Sequence, residues 1–490
     1  MQKHSTKVKN MEDTIVLYPA PGSGHLISMV ELGKLILSRG HFSTVHILVI
    51  AGFNDAPATA AYLRNISETY SSIILHRFPT VLHVNTSPAV SFLANMFGFI
   101  RLNTVNVHQT LQKISRTFKV HALVIDFFCA SAVPVSENLG IPLFFFFTSG
   151  LAALAAYLHF PTIHNQVDKN FKDLYDTKLQ IPGLPMLPAK QMPQPVLNRD
   201  EPVYYDIMYY SHCLSQSSGI IVNSFNQLEP IAMKAVIDGL CIPNGRTPPI
   251  YNIGPLIADS YSKFNNQGDH NLQHSCLSWL DTQPSRSVVF LCFGSMGTFS
   301  GDQVKEIAKG LERSGHRFLW VVRKPRLHEK IKEFGEIGEF NVMTIMPEGF
   351  LDSTKGRGMV VESWAPQVAV LEHPAVGGFV THCGWNSILE AVMAGVPMLA
   401  WPLYAEQHLN KAALVASMKM AIAVEQRGED GFVVGEEVEK RVRELMDHSE
   451  TSLELRERSH KMKLMAIDSL GDMGSSTAAL DKLVRVWLGN

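Results

Sequence analysis

The run Gly377-Gly-Phe-Val-Thr-His-Cys-Gly-Trp-Asn-Ser-Ile-Leu-Glu390 is compatible with few folds. Gly377, Gly378, Phe379 and Val380 form a short apolar stretch, which predicts a buried parallel strand. Thr381, His382, Cys383 and Gly384 then predict a tight turn. Asn386 and Ser387 are good helix N-caps, and Glu390 follows Ser387 at the capping-box offset. The segment therefore reads as strand, turn and helix start. Free backbone N–H groups and the positive end of a helix dipole converge on such a turn, which suits a phosphate. His382 adds a side-chain donor. Many β-to-α turns look like this and bind nothing, so the turn alone leaves both readings open.

The same unit occurs near the start of the chain. Thr14–Tyr18 predicts a buried strand, and Pro19-Ala-Pro-Gly-Ser-Gly-His25 a loop rich in breakers. Leu26, Met29, Val30, Leu35 and Ile36 give the following helix its apolar face, Gly40 ends it, and Val45–Ile50 is the next strand. This β-α-β alternation predicts a doubly wound parallel sheet. Gly22 and Gly24 suggest a dinucleotide fingerprint, but Ile27 occupies the third glycine position, so the dehydrogenase reading fails at its own motif. His25 lies where strand meets helix, beyond the carboxyl ends of strands, where open α/β sheets bind ligands. An imidazole there suits a general base at neutral pH. The alternative is a histidine at a helix N-terminus with no chemical role. Ala122–Ile125 is another buried strand, and Asp126 sits at its carboxyl end. That carboxylate either caps the next helix or reaches His25, where it would fix the tautomer and stabilise the imidazolium.

Length and composition bound the rest. At ~100–200 residues per domain, 490 residues suggest two to four domains, and two large α/β lobes fit best. Apolar residues make up 46% and charged residues 18%, with a net charge of −2, so nothing favours nucleic acid or an anionic membrane as partner. The six cysteines form no CxxC pair, which points to buried free thiols in a reducing compartment. The opening MQKHSTKVKN has no apolar core of a secretory signal, and Met11 is an alternative start. The expectation is a cytoplasmic chain, in which the sequons at Asn65 and Asn85 are chance matches. Ile141–Pro161 approaches the ~20 apolar residues of a membrane span. Pro142 and Thr148-Ser149-Gly150 interrupt it, so it reads as a strand, Leu143–Phe147, and a helix, Leu151–Leu158. Phe171–Arg199, rich in Pro and Lys, reads as a long surface loop. Gly245–Gln273 is the best linker. Beyond it, Ser287–Phe293 is a strand, Gly294–Gly297 a tight turn and Gly301–Gly310 a helix, and Pro325–Asn341 is a charged loop.

The block Trp364–Gln407, WAPQVAVLEHPAVGGFVTHCGWNSILEAVMAGVPMLAWPLYAEQ, resembles the plant secondary-product glycosyltransferase box of family 1 UDP-glycosyltransferases from its first residue to its last. The resemblance implies that Trp364 stacks on uracil, the Ala365 backbone bonds the uracil edge, and Gln367 and Glu390 hold the ribose hydroxyls. It assigns His382, Asn386 and Ser387 to the diphosphate, and Trp385, Glu406 and Gln407 to the sugar. Gly294-Ser-Met-Gly297 resembles the family's FGS-G loop, which makes Ser295 and Gly297 candidate diphosphate contacts. Ser23 and Thr148 match positions that contact the phosphates or sugar, Phe128 a wall of the acceptor pocket, and His25 and Asp126 a catalytic dyad. Ile181-Pro-Gly-Leu-Pro185 and Asn223-Ser-Phe-Asn-Gln-Leu-Glu229 are similar to two further family segments.

The resemblance implies a GT-B fold, an α/β architecture of two Rossmann-like lobes whose parallel sheets face a cleft. Residues 1–247 would form the acceptor lobe, 248–273 the linker, 274–472 the UDP-sugar lobe, and 473–490 a C-terminal helix crossing back to the first lobe. The implied activity is inverting transfer of glucose from UDP-glucose to a hydroxyl of a flavonoid, isoflavone or chalcone, by a monomer without cofactor. No Asp-x-Asp motif lies near the loops, so no metal is expected. Gln407 favours glucose on family analogy, and Trp385 argues against a glucuronosyl donor. Glu406 stands where many members have Asp, which changes its reach. C-glycosylation and triterpenoid or hormone acceptors fit the same scaffold. A UDP-sugar epimerase or hydrolase leaves the dyad unexplained, and a non-catalytic binding protein has no reason to keep both dyad and sugar-facing set.

Overall fold

Two parallel sheets organise the chain. The computed structural model describes residues 11–53, 57–81, 91–174, 177–258, 270–324, 345–428 and 430–489. Its first strands are β1 (Glu12–Tyr18), β2 (Thr44–Val49), β3 (Ile73–Arg77), β4 (Phe118–Asp126) and β5 (Leu143–Phe147). A short antiparallel pair follows, β6 (Lys178–Leu179) with β7 (Leu187–Pro188), and then β8 (Gly219–Val222) and β9 (Ile250–Asn252). The remaining strands are β10 (Val288–Cys292), β11 (Arg317–Val322), β12 (Gly358–Glu362), β13 (Val376–Thr381), β14 (Met398–Ala400) and β15 (Ala421–Ala423). The first sheet has the order β3-β2-β1-β4-β5-β8-β9, the second β12-β11-β10-β13-β14-β15.

The apolar runs explain why these strands lie inside. Successive residues of a strand point to opposite faces, so a run such as Leu-Phe-Phe-Phe-Phe in β5 requires cover on both sides. Ile15, Leu17, Val124, Phe144 and Phe146 pack with the helix Ser23–Ser38 and with Leu480, Leu483 and Trp487 of the C-terminal helix Ser475–Leu488. Val16, Tyr18, Leu123, Phe145 and Phe147 join a second cluster, which continues through Trp385 to Phe290 and Phe379 of the other sheet. The outer face of the second sheet forms a third cluster around Trp320 and Trp401.

Several expectations change in detail. The stretch Phe171–Arg199 is not simply a surface loop: Phe171, Leu179, Ile181, Leu187, Met192 and Val196 are buried. Its prolines stop long elements from forming, but its apolar side chains still join the core. The expected linker 248–273 overlaps regular structure at both ends. β9 pairs with β8 at the edge of the first sheet, where the prolines just before it cost no ladder bond, and the helix His270–Asp281 starts before residue 273. The helix after Gly150 runs to Gln166 and contains Pro161. No helix among the described residues is long and apolar enough to cross a membrane. All six cysteines are buried thiols outside any disulfide. The opening MQKHSTKVKN, the Asn85 sequon, residues 259–269 and the charged run Pro325–Asn341 lie outside the described residues.

The C-terminal helix is tied to the first sheet by a side chain at its last turn. The Trp487 ring meets Phe144 edge-on at 5.7 Å and Phe42 at 6.1 Å, and its carbonyl accepts a 2.7 Å hydrogen bond from His121 Nδ1. Truncating a buried tryptophan costs about 3–5 kcal/mol. Trp487→Ala is therefore expected to lower the urea midpoint of unfolding by that equivalent, whereas the exposed neighbour Val486→Ala leaves it nearly unchanged.

Candidate active site

Three adjacent strands deliver one cluster to the edge of the first sheet. β1 pairs with β4 up to Tyr18 and Ile125, and β4 pairs with β5 up to Asp126 and Phe146. The residues just past these ends must lie side by side. Gly22, with a φ of 124° that only glycine adopts readily, turns the chain into the helix Ser23–Ser38 and leaves His25 in its first turn. Asp126 ends β4 fully buried. Its Oδ2 lies 2.8 Å from His25 Nδ1, and its Oδ1 accepts from the Phe128 N–H at 3.0 Å. The carboxylate thus serves both roles the sequence left open, capping the turn and holding the imidazole. Thr148, one residue past β5, places its Oγ1 3.2 Å from the same His25 Nδ1.

This environment sets the basicity of His25. Burial alone lowers it, but the charge and hydrogen bond of Asp126, with the more distant Glu406 carboxylate, outweigh burial and raise the pKa above the ordinary 6.5. Nδ1 faces the carboxylate, so the neutral ring carries its lone pair on Nε2. The side chain keeps 30% exposure. Phe128 lies beside it, ring centroids 5.4 Å apart, and Phe97 and Phe127 each lie within 5.4 Å of Phe128. Ser23, the first residue of that helix, lines with Gly22, Val49, Ile50 and Phe53 a cleft on the β2 side.

The second sheet presents a turn of different character. β13 runs to Thr381 beside Cys292 of β10, so the loops after these strands touch. The helix Trp385–Ala394 begins there with Gly384 as N-cap. The expected cap by Ser387 is not made: Ser387 is the helix's third residue, and its Oγ accepts from Gln367 Nε2 at 2.8 Å. The same amide nitrogen lies 2.6 Å from Glu390 Oε2, so Gln367 ties Ser387 and Glu390 together. His382 is wedged between two glycines. A Cβ on Gly294 would fall 2.5 Å from its Nε2, and one on Gly384 2.4 Å from it. Burial lowers the His382 pKa to about 4, and its Nδ1 has no partner among the described residues. Here the histidine is a neutral ring at physiological pH. Burial pushes the Cys383 thiol up to about 12, which suits a space-filler.

The other site residues surround this turn. Ser295 is exposed in the loop after β10, and Gly297 closes that loop where a Cβ would lie 2.1 Å from the Phe293 carbonyl oxygen. Trp364 is partly exposed and Ala365 buried in the loop after β12. Gln407 is buried, its Oε1 accepting from the Leu403 and Tyr404 N–H groups at 2.8 and 3.0 Å. Glu406 Oε1 accepts from Ser149 Oγ at 3.0 Å, across the two lobes. Asn386 also crosses, with Oδ1 3.3 Å from Ser28 Oγ and Nδ2 3.4 Å from the Gly24 carbonyl. The Trp385 indole is buried, and its Nε1 donates to the Asn223 carbonyl of the first lobe at 2.6 Å. Two residues without an expected role belong to the set. Asn410 is buried and donates to the Cys383 carbonyl at 3.0 Å, and Glu229 is buried beneath Gly150. The helical offset from Gln407 to Asn410 and the segment ending at Glu229 were the only signals for them.

Two clusters thus face one another: a carboxylate-held imidazole beside aromatic rings, and a helix N-terminus with glycine-lined N–H groups and a neutral imidazole. The first can accept a proton. The second can hold an anion and stabilise developing negative charge.

Known proteins similar to this chain agree on one family. The family model "UDP-glucoronosyl and UDP-glucosyl transferase" matches residues 262–449. UDP-glycosyltransferase 88F4 of Malus domestica is 53% identical over 473 residues, 95% of this chain and 98% of its own. Phloretin 2'-O-glucosyltransferase of Malus domestica is 51% identical over 97% of this chain and 99% of its own. Among solved structures, Phytolacca americana UGT2 complexed with UDP-2fluoro-glucose and pterostilbene superposes with a TM-score of 0.84 at 34% identity, covering 97% of this chain and 100% of that one.

The two histidines should titrate apart. In ring-nitrogen NMR spectra, His25 is expected to change charge with a midpoint above 6.5, and His382 to stay neutral down to about pH 4. Asp126→Asn removes the charge that raises His25, so its midpoint should fall. A midpoint that stays put would contradict an electrostatic origin in Asp126.

Proposed function

This chain belongs to the UDP-glucoronosyl and UDP-glucosyl transferases, and from that premise we propose that it moves glucose from UDP-glucose to a hydroxyl of a phenolic acceptor of flavonoid or chalcone type. It is a GT-B glycosyltransferase, with the two-lobed architecture of its structural neighbours. In this reading the first lobe receives the acceptor and the second the UDP-sugar, and the C-terminal helix returns to the first lobe. The observation that carries the reading is the 2.8 Å His25–Asp126 pair, set opposite the His382 turn.

The steps follow from the residues. His25 Nε2 takes the proton of the acceptor hydroxyl while Asp126 holds Nδ1–H and stabilises the imidazolium. The oxygen attacks the anomeric carbon of the α-linked sugar from the face opposite the diphosphate. The carbon–oxygen bond to the β-phosphate breaks, giving a β-glucoside and UDP, and the His25 proton passes to solvent. The first-turn N–H groups at Asn386 and Ser387, the helix dipole, His382 and the Ser295–Gly297 loop meet the charge that develops on the diphosphate. Trp364 and the Ala365 backbone take uracil, and Glu390, held by Gln367, takes the ribose hydroxyls. Glu406 and Gln407 take the sugar hydroxyls, with Trp385 alongside. Phe128 walls the acceptor, and Phe97 and Phe127 extend that aromatic surface. The activity named for the phloretin relative supports a phenolic acceptor.

Incubation with UDP-glucose and a panel of dihydrochalcones and flavonoids, followed by mass spectrometry, is expected to give an acid-labile monoglucoside. An acid-stable adduct would reassign the chain to carbon glycosylation, and UDP binding without any product would overturn transfer. His25→Ala should lower kcat by about 10²–10⁴-fold. The base works deprotonated, so kcat/KM should be lost as pH falls through the raised His25 pKa. Asp126→Asn lowers that pKa, so its acid limb should move to lower pH while the plateau drops.

A further inference from the structure

The segment Ser224–Glu229 has no part in the chemistry of transfer, yet it holds a buried carboxylate next to the site. Glu229 is 2% exposed. Its Oε2 accepts from Ser224 Oγ at 2.7 Å and the Leu151 N–H at 2.8 Å, and its Oε1 from the Ala152 N–H at 2.9 Å. Leu151 and Ala152 open the helix Leu151–Gln166, so this distant carboxylate occupies the place that a local Ser or Asp cap normally fills. Burying a carboxylate is costly, and burial accordingly raises the Glu229 pKa while the three hydrogen bonds oppose that rise. Helix stability alone does not call for a charge this deep. The residues just before the helix give a better reason.

Thr148, Ser149 and Gly150 connect β5 to that helix, and each touches a different part of the site. Thr148 reaches His25, and Ser149 donates to Glu406 in the other lobe. Gly150 lies against the Trp385 indole, where a Cβ would come within 2.6 Å of Cη2 and Cζ3 and within 2.7 Å of Glu229 Oε1. Trp385 is 3% exposed, locked by its bond to the Asn223 carbonyl, and it is the first residue of the helix that carries the His382 turn. The indole is thus a key from the second lobe in a socket of the first, and Glu229 is the floor of that socket.

We infer that Glu229 and the Trp385 indole are positioning residues for transfer, Glu229 fixing the turn Thr148–Gly150 from below and Trp385 seating the UDP-sugar lobe against it. The inference rests on the roles proposed for His25 and Glu406. Held this way, the base and the sugar-facing carboxylate keep a set separation when the lobes meet around substrate. A displacement of about 1 Å between reacting groups can cost ~10²-fold in rate, so a socket of this kind acts on kcat.

The test is a double-mutant cycle of Gly150→Ala and Trp385→Phe in the full chain, read in kcat, in UDP affinity by calorimetry and in thermal midpoint. The new methyl collides with the outer carbons of the indole, which phenylalanine lacks, and with Glu229 Oε1, which stays in place. Gly150→Ala is therefore expected to lower kcat by about 30-fold or more alone, but by about tenfold or less in the Trp385→Phe background, where only the Glu229 contact remains, with UDP affinity within about threefold throughout. Glu229→Gln keeps the size and loses the charge and one acceptor oxygen, and should lower kcat about tenfold with UDP affinity kept. Additive effects on kcat, or losses of kcat that merely track UDP affinity or unfolding, would overturn the inference. If the wild-type chain transfers to no acceptor, the proposed function falls and takes this inference with it. If the wild type is active and the cycle couples in thermal midpoint but not in kcat, only the inference falls.

Discussion

In each large sheet every strand pairs in parallel, so every strand ends at the same edge, and that constraint decides where the chemistry can stand. A parallel sheet needs a helix between successive strands, and each crossover starts at the carboxyl edge. Loops with free backbone groups and helix N-termini therefore accumulate there, while the opposite edge collects helix ends of the wrong polarity for anions. The first sheet uses its edge to place His25, Asp126 and Thr148 beyond neighbouring strands β1, β4 and β5. The second uses its own to place the loops of β10 and β13 in contact. The inter-lobe bonds of Asn386, Ser149 and Trp385 all join these two edges.

The backbone is most constrained where the second sheet turns into the cleft. Ser363, Cys383 and Ala405 have φ values of 66°, 64° and 53°, in a region that favours glycine. They stand directly before Trp364, after His382 and before Glu406, in the loops that follow β12, β13 and β14. Left-handed backbone at a residue with a side chain costs of order 1–3 kcal/mol and persists only where its surroundings enforce it. Buried contacts supply that enforcement at Cys383, which is 0% exposed and whose carbonyl is held by Asn410. The sharp bends let short loops bring an aromatic face, an imidazole and a carboxylate to one side of the sheet.

How much of this is legible in the sequence depends on how local the cause is. The strand–turn–helix at Gly377–Glu390 is visible because an apolar run, breakers and a helical pattern follow one another directly. His25 and Asp126 are visible by position, because each follows an apolar strand at the edge where ligands bind. The capping box at Ser387 and Glu390 misleads because its spacing is right but Gly384 starts the helix, leaving both side chains to Gln367. Prolines mislead over residues 171–199, where they signal a surface loop although most of its apolar side chains are buried, and just before β9, which still pairs at the sheet edge. Glu229 is beyond local reasoning altogether, since the helix it caps begins 78 residues earlier in the chain.

The two histidines show why the lobes have to be different proteins in the electrostatic sense. His25 sits in the helical turn beyond the loop after β1 and His382 directly after β13, and burial lowers the basicity of each. At His25 a buried carboxylate 2.8 Å away reverses that effect, so the ring gains a proton readily and returns it. At His382 the neighbours include two glycine backbones and the Tyr404 ring, and burial alone sets the shift, so the ring stays neutral. Exchanging the environments would defeat both: a neutral-locked ring could not hold a proton taken from a hydroxyl, and a charged ring could not stay buried between glycines without a counter-ion. The separation therefore depends on keeping Asp126 on the first sheet and away from the second. A fold with two sheets and a cleft provides that, with Asn386, Trp385 and the Ser149 hydroxyl bridging the two clusters.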